Sequence, residues 1–307
     1  MMIKKLIKKI NRTIGRWAMN MMLVVAKIIP RQFLYAYVQW IIMLVSYYTG
    51  SRLVQVARDN IKDVFGDRKT IEEQALLVKA SFKNLALVIA ESIDCVARPA
   101  RFLAEADIEG EAHLTTALQK GKGVIAVTAH LGNFPAMMGF FAARGYQVNV
   151  LVKPSRDPKM SEFIVRKFKS FGGNIIFSVP QRACVQSSIK ALRANQVLFI
   201  LIDQNYGADA RIFVDFLGRK AATGASPVAF ARRTGASVLP IFSVRRNGKM
   251  HIIVDPEVEL KQPDKDNDCI QENMQMLTNI VEDYVRHYPG IWSWTHKRWK
   301  CKNNVLD

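Results

Sequence analysis

The sequence contains few cysteines, and it has no internal repeat and no low-complexity linker. Its four cysteines, Cys95, Cys184, Cys269 and Cys301, lie far apart along the 307 residues. A zinc site or a redox motif requires closely spaced cysteines, so this pattern predicts neither. We instead expect free thiols in a reducing compartment.

Acidic residues are scarce relative to basic ones. The chain has 44 lysines and arginines against 26 aspartates and glutamates, which gives a formal net charge of +18 at pH 7. This excess favours an anionic partner, and charge alone leaves nucleic acid, lipid headgroups and an acidic protein open. Half of the residues are apolar, so the chain can bury the core of one large α/β domain or two small ones.

The segment 33–50, "FLYAYVQWIIMLVSYYTG", carries no charged residue and follows the lysine-rich start "MMIKKLIKKINR". This pattern predicts a hydrophobic membrane-anchor helix. The run is close to the minimum length that crosses a bilayer, and Lys27 and Pro30 interrupt the apolar segment before it. A transmembrane helix and an in-plane helix therefore both remain open, with a buried pair of core helices as the alternative.

The residues around this run predict its orientation. No small-residue cleavage site follows it, which argues against a cleaved signal peptide. Positive charges precede it, and Arg52 and Arg58 follow, so we expect the body of the protein on the cytoplasmic face. The sequence thus divides into a basic and hydrophobic membrane anchor over 1–55 and an α/β domain over 56–307.

Beyond the anchor, strand-like and helix-like segments alternate. Residues 70–97 have apolar positions three and four apart, which predicts one or two helices. Short apolar runs predict strands at 123–130, 148–152, 174–179, 197–203, 237–246 and 250–260, and the stretches between the first four predict helices at 134–144, 158–171 and 182–194. We therefore expect an α/β fold with a mostly parallel central sheet flanked by helices, and a hairpin of the last two strands at its edge.

Polar residues collect where the predicted parallel strands end, which is where such sheets bind ligands. These residues are His130, Lys153, the region 178–182, Asp203 and Gln204. A neutral imidazole at His130 can take a proton from a hydroxyl nucleophile, and a bond to a loop carbonyl is the structural alternative. Asp203 ends a very apolar strand and needs a partner there, either the His130 loop, a substrate hydroxyl or a neighbouring helix that it caps.

Five motifs spread over most of the chain point to one family. They are "AHLGNFP", "VKPSRDPKMSEFIVRKFKSFGGN", "LRANQVLFILIDQNYG", "VDFLGRKAATGASPVAFARRTGASVLPIF" and "HYPGIWSWTHKRWK". Together they resemble motifs of the lysophospholipid acyltransferases, specifically the late acyltransferases of bacterial lipid A biosynthesis. The first resembles that family's "HLGNWE" element, and the second is similar to its arginine-proline segment, with Lys153 where arginine is usual.

The resemblance implies a glycerolipid acyltransferase-like fold and a membrane-attached O-acyltransferase on the cytoplasmic face of a bacterial inner membrane. It implies transfer of a fatty acyl chain from acyl carrier protein, or from coenzyme A, to a hydroxyl of a lipid A precursor. No metal and no bound cofactor are implied. His130 would be the general base, and nearby amides or cations would hold the developing oxyanion. The acidic carrier protein would suit the net charge.

One position departs from the family pattern. The family pairs its histidine with an acid five positions later, and here that position is Pro135, which suits a helix start but cannot orient an imidazole. In one hypothesis Asp203 or Glu91, or helix-start amides with a water, serves His130 and acyl transfer persists. In the other, the protein binds its substrates but no longer reacts. We favour the first, with His130 and Asp203 as the candidate catalytic residues, because His130, Asn133, Asp203 and Gln204 are all present.

Five residues are candidates for substrate binding: Asn133, Lys153, Arg182, Gln204 and Arg233. Lys153 is chosen by motif position, and Arg182 and Arg233 by their places near strand ends. Guanidinium groups suit the phosphates of a lipid A precursor.

The tail "WSWTHKRWK" alternates tryptophan with cations, which is typical of an interfacial aromatic arrangement at a membrane and also of base stacking. The anchor favours the membrane and argues against nucleic acid. Another lipid acceptor is the nearest alternative, although the sequence contains no "EGTRS"-like phosphate motif of the lysophosphatidic acid branch. A non-enzymatic lipid-binding protein would fit Pro135.

Overall fold

A computed structural model describes residues 13, 15, 17, 19–206, 212–262 and 269–300. Its helices are α1 (19–28), α2 (Arg31–Ile42), which continues as a π-helix over Met43–Tyr48, α3 (Arg52–Phe65), α4 (Ile71–Ala97), α5 (Pro99–Ala104), α6 (Glu111–Gln119), α7 (Phe134–Ala143), α8 (Pro158–Lys169), α9 (Gln181–Arg193), α10 (Ser226–Thr234) and α11 (Ile270–His287). Its strands are β1 (Asp107–Glu109), β2 (Val124–Thr128), β3 (Val148–Val152), β4 (Asn174–Phe177), β5 (Val197–Leu201), β6 (Ile212–Phe216), β7 (Arg219–Thr223), β8 (Ser237–Arg246) and β9 (Lys249–Val254).

Seven strands form one sheet in the order β1-β9-β8-β2-β5-β3-β4, and β6 pairs with β7 separately. β8 and β9 pair antiparallel, and the other neighbours in the large sheet pair parallel. The predicted mostly parallel sheet is confirmed. The central strands β2 ("VIAVT") and β5 ("VLFIL") are nearly continuous apolar runs, because parallel strands are covered on both faces.

The predicted hairpin of the last two strands is confirmed, but its place at the sheet edge is wrong. The short strand β1 pairs in parallel with β9 and forms that edge instead. β1 ("DIE") and β7 ("RKAAT") contain no run of large apolar residues that hydrophobic periodicity could detect. β6 ("IFVDF") does contain one, but it was not among the predicted strands.

Helices cover both faces of the sheet. Ile125 and Val127 of β2 pack with α9, α10 and α11, whereas Val124 and Ala126 pack with α6 and α7 on the opposite face. Successive side chains of a strand point to opposite faces, so a single apolar strand contributes to both layers of the core. This three-layer arrangement leaves the carboxyl ends of the strands as one continuous edge.

The long helix α4 links the layers. Thr70 and Glu73 form a reciprocal capping box at its start, which satisfies two backbone N–H groups. The helix ends one residue before Arg98, which is followed by a proline and cannot easily continue a helix. Arg31 of α2 and Arg98 both pair with the buried carboxylate of Asp94 on α4, so this ion cluster fastens α2 to α4.

The N-terminal helices expose an apolar surface. Trp17, Met21 and Ile28, before and in α1, are exposed, as are Phe33 and Trp40 of α2. Within the described residues, none of the helices is long and apolar enough to cross a membrane. The expected membrane-anchor helix is therefore not supported as a transmembrane segment.

Candidate active site

His130 lies in a tight turn between β2 and α7. Asn133 caps α7, because its side-chain oxygen accepts a hydrogen bond from the Ala136 N–H at 3.1 Å. Gly132 has a φ of +56°, and a Cβ built there would lie 2.0 Å from the carbonyl oxygen of Ser243, so the turn needs glycine at that position. The turn is therefore held close to the backbone of β8.

The structure brings His130 and Asp203 together. β2 and β5 are adjacent and parallel, with Thr128 opposite Leu201, so the residues two positions beyond each strand are neighbours. The Nδ1 atom of His130 lies 2.8 Å from Oδ1 of Asp203, and the His130 backbone N–H donates to Oδ2 at 2.8 Å. The indole N–H of Trp292 donates to the same Oδ2, also at 2.8 Å.

The charge of Asp203 determines which nitrogen of the neutral His130 ring carries the proton. Burial by itself would raise the pKa of this carboxyl, but the attraction of His130 and the hydrogen bonds from His130 and Trp292 lower the pKa to about 2. An ionised Asp203 can only accept, so Nδ1 of His130 carries a proton. Nε2 of the neutral ring is then an acceptor, and the amide nitrogen of Gln204 donates to it at 3.0 Å.

A C-terminal segment, residues 292–299, packs against this pair and buries its three tryptophans and Arg298. The backbone N–H of Ser293 donates to the carbonyl oxygen of His130 at 3.0 Å, and Arg298 donates to that of Gln204 at 2.7 Å. Trp292 and Arg298 are 1% and 0% exposed. Burial lowers the pKa of the Arg298 guanidinium to about 10, so the group stays charged at neutral pH.

The prediction that the "WSWTHKRWK" tail lies at a membrane interface is thus wrong. Its aromatic rings pack inside the protein and its arginine binds backbone carbonyls, which composition alone cannot distinguish from an exposed amphipathic tail. Sequence reasoning missed Trp292 and Arg298 as site residues. The resemblance of "HYPGIWSWTHKRWK" to a family motif was the signal that could have identified them.

Glu91 makes no hydrogen bond to the His130 ring. Its carboxylate accepts a hydrogen bond from the side-chain amide of Asn133 at 2.8 Å and pairs with Arg245 of β8 at 2.6 Å. Of the two carboxylates considered, Asp203 is therefore the one that contacts the imidazole. Asn133 is 1% exposed with both ends of its amide bonded, which favours a positioning role over direct substrate contact.

The predicted basic residues fall into two groups. Lys153 follows β3 and Arg182 lies in the first turn of α9, so both are exposed at the same sheet edge as His130. Arg233 lies in the last turn of α10, just before β8 begins, and is therefore at the opposite edge. A five-residue strand spans about 16 Å, so the structure does not bring Arg233 to the site. Its nearness to a strand start was mistaken for nearness to a strand end.

An apolar groove of about 640 Å³ begins beside the turn. It is lined by side chains of α1, α4, α7 and α8, and among these are Leu23, Ile89, Pro135 and Phe163. Phe134, which precedes the groove residue Pro135 in the chain, packs edge-on against the His130 ring at 4.8 Å between centroids. The volume is in the range of pockets that bind small ligands. Among the described residues, no cluster of histidines, cysteines and acids could hold a metal ion.

These features define an α/β protein with a histidine–aspartate pair beside an apolar groove. The sequence profile of the family described as "Bacterial lipid A biosynthesis acyltransferase" matches residues 1–301. The chain belongs to this family, and the predicted resemblance is confirmed.

Curated relatives with low sequence identity to this chain are also named as acyltransferases. The chain is 22% identical over 255 residues to the lipid A biosynthesis lauroyltransferase of Escherichia coli, which covers 82% of this chain and 80% of the relative. It is 23% identical over 188 residues to the lipid A biosynthesis acyltransferase of Haemophilus influenzae, covering 60% and 56%, so this match spans about half of that relative. It is 23% identical over 192 residues to the phosphatidylinositol mannoside acyltransferase of Mycolicibacterium smegmatis, covering 61% and 60%. The matches support an O-acyltransferase.

Proposed function

We propose that the protein transfers a fatty acyl chain from a thioester donor to a hydroxyl of a lipid A precursor. Nε2 of His130 takes the proton of the acceptor hydroxyl, and the oxygen attacks the thioester carbonyl. The tetrahedral intermediate then breaks its C–S bond and expels a thiolate, which takes the proton from His130 and leaves as the thiol. Asp203 stays ionised throughout, holds the imidazole in the required tautomer and stabilises its protonated form.

Gln204 has two successive roles in this proposal. Its amide donates to Nε2 of His130, the atom that the acceptor hydroxyl must reach, so the acceptor displaces this bond when it enters. The freed amide N–H lies beside the reacting carbonyl and donates to the developing oxyanion. The site thus needs neither a metal nor a bound cofactor for this chemistry.

The apolar groove is the proposed acyl-chain site. Its lining is almost wholly aliphatic and aromatic, and it starts at Pro135, next to the turn that carries His130. A fatty acyl chain that lies in this groove presents its thioester carbonyl to the imidazole. Pro135 is then explained as part of an apolar wall, where a carboxylate would be poorly solvated.

Membrane attachment is proposed through the exposed apolar surface of α1 and α2. Trp17, Met21, Ile28, Phe33 and Trp40 are exposed there. Helices with such a surface and flanking lysines lie in the plane of a bilayer interface, which is the in-plane form of the predicted attachment over 1–55. The cytoplasmic face of a bacterial inner membrane is the proposed location.

The donor is proposed to be acyl carrier protein, with coenzyme A as the alternative. Lys153, Arg156, Lys159 and Arg182 are exposed cations around the sheet edge that holds His130. An acidic carrier protein that delivers a thioester to this edge meets a surface of opposite charge. The excess of basic residues elsewhere on the protein favours contact with anionic lipid.

The contact between His130 and Asp203 is the observation that carries this function. Its test is transfer of a labelled acyl chain by detergent-purified protein, comparing wild type, His130→Ala, Asp203→Asn and Pro135→Glu. We expect His130→Ala to abolish transfer and Asp203→Asn to lower kcat on the order of 10⁴-fold, as in the hydrolytic triads. Pro135→Glu should bring no gain. Wild-type rates in His130→Ala would refute the mechanism, and a gain in Pro135→Glu over an inactive wild type would indicate a site that only binds.

A second candidate acceptor is another glycolipid or lysophospholipid. The Mycolicibacterium smegmatis relative, named for phosphatidylinositol mannoside, favours it. The same assay with a mannosylated phosphatidylinositol and with lysophospholipids decides between the acceptors, because only the correct hydroxyl yields labelled product at low donor concentration.

A further inference from the structure

We propose that Glu91 is a positioning residue for His130, and that it acts through Asn133. The inference rests on the proposed function, because it concerns the same site. Glu91 lies on α4, outside the sheet, yet its carboxylate accepts from the Asn133 amide at 2.8 Å and from the Arg245 guanidinium at 2.6 Å. One buried carboxylate thereby joins α4, β8 and the turn before α7.

The turn is held at both ends. Asp203 binds the backbone N–H and the ring of His130 at one end, and Glu91 binds the side chain of Asn133 at the other. In between, the Gly132 N–H donates to the carbonyl oxygen of Ile291 at 3.0 Å. Five residues, 129–133, separate β2 from α7, and hydrogen bonds hold them at both ends, so a shift of Asn133 is transmitted to the His130 ring.

The charge of Glu91 is also well matched to its surroundings. Its side chain is 5% exposed, and that of Arg245 is 17% exposed. A buried carboxylate is tolerated when hydrogen bonds and an opposite charge compensate its lost hydration, and here both are supplied. The pair fixes the orientation of Glu91, which in turn fixes the donor end of the Asn133 amide while the acceptor end caps α7.

Asp94 provides a matched control on the same helix. It lies one turn after Glu91, its side chain is 2% exposed, and it pairs with two arginines, Arg31 and Arg98. The structure shows no contact between Asp94 and the residues 130–133 within the described part of the chain. Glu91→Gln and Asp94→Asn therefore remove the same charge from similarly buried positions, and only the first replaces a charge-assisted hydrogen bond to the turn with a weaker neutral one.

The kinetic test compares kcat and KM of acyl transfer in the two variants. We expect both to lower Tm, and Glu91→Gln to lower kcat by about 10- to 100-fold with little change in KM for the donor, since small misplacement of a reacting group costs up to that factor. Asp94→Asn should keep kcat within about twofold. Equal kcat in the two variants would overturn the proposal.

A reversed pair gives a stricter test. Asn133→Asp keeps an acceptor that caps α7 but sets two carboxylates against each other, so it should lower kcat at least as much as Glu91→Gln. The double variant Glu91→Gln/Asn133→Asp restores one donor and one acceptor with the direction inverted. It also removes the oxygen that accepts from Arg245, so it should recover part of the lost kcat. Absence of recovery in a folded double variant would contradict a positioning role.

Hydrogen–deuterium exchange separates this proposal from the proposed function. Amides of the segment 129–138 should exchange faster in Glu91→Gln than in wild type or Asp94→Asn, whatever the enzyme's acceptor. Faster exchange together with an inactive wild type would refute the function and keep the positioning role. Unchanged exchange in Glu91→Gln would refute the positioning role even if the enzyme is active.

Discussion

The two ends of the chain have similar compositions and opposite environments. The N-terminal segment carries Trp17 beside Arg16 and Trp40 in the uncharged run that follows, and the C-terminal segment carries Trp292 and Trp294 close to Lys297 and Arg298. Trp17 and Trp40 are 73% and 62% exposed, whereas Trp292 and Trp294 are 1% and 0% exposed. Aromatic and basic residues together therefore do not predict a membrane surface.

Hydrogen bonding explains the difference. The indole N–H groups of Trp292 and Trp294 donate to Asp203 and to the carbonyl oxygen of Pro289, both at 2.8 Å. An acceptor stabilises a buried indole N–H, and a buried carboxylate at a strand end needs a donor. The C-terminal aromatics are thus part of the core that holds the site, while the N-terminal ones remain available to a lipid interface.

Replacing one tryptophan at each end of the chain with alanine should give the largest difference in the free energy of unfolding. Trp292→Ala removes a fully buried ring and leaves Asp203 short of a donor, so we expect the free energy of unfolding to fall by about 3–5 kcal/mol. Trp40→Ala removes an exposed ring and should change the free energy of unfolding by less than about 0.5 kcal/mol. Urea unfolding of both variants in detergent measures the two values. Similar losses in both would mean that the N-terminal surface is buried in the protein.

The pH dependence of stability should report the Trp292–Asp203 contact. The pKa of Asp203 is about 2, below the usual aspartate value of about 3.9, so its stabilising effect is complete above pH 4 and is lost as the pH falls towards 2. The size of this effect is about 2 kcal/mol. The difference in unfolding free energy between wild type and Asp203→Asn should shrink by about that amount from pH 5 to pH 2.

Trp292→Phe sharpens this test, because it keeps a ring but removes the donor to Asp203. The pH-dependent difference should be smaller in the Trp292→Phe background than in wild type. An identical pH dependence in both backgrounds would show that the indole does not influence the carboxylate.

At the other end, Trp40→Ala should weaken membrane binding. Burial of one aromatic side chain contributes about 1.5–3 kcal/mol, so partition into phosphatidylethanolamine–phosphatidylglycerol vesicles should fall about 10-fold or more. Vesicle sedimentation at fixed ionic strength measures this. Ile71→Ala is the control, because Ile71 is an exposed apolar residue at the start of α4, outside α1 and α2. Equal losses in both variants would argue against an interface formed by α1 and α2.

The sequence predicted more of the fold than of the site. Hydrophobic periodicity identified the central strands and the helices between them, and the motifs brought His130 to the right sheet edge. Asp203 was a candidate catalytic residue, but the sequence left Glu91 open as the partner of His130. Asp203 is 73 positions from His130 and becomes its neighbour only through the order of β2 and β5. Arg233 and the C-terminal tryptophans were misjudged for a related reason, since strand direction and burial depend on tertiary packing.

Replacing Trp299 should have the smallest effect on the free energy of unfolding. It separates the contribution of ring burial from that of hydrogen bonding. Its ring stacks on Phe216 at 6.1 Å, lies under the guanidinium of Arg219 at 4.9 Å and is 9% exposed, but its indole N–H has no partner among the described residues. Trp299→Phe therefore removes little beyond ring area, and we expect a loss of about 1 kcal/mol or less in unfolding free energy. Trp292→Phe should cost more, about 1.5–3 kcal/mol, because it breaks a hydrogen bond to a charged group. Equal costs would show that ring area, and not the bond to Asp203, keeps the C-terminal aromatics inside the protein.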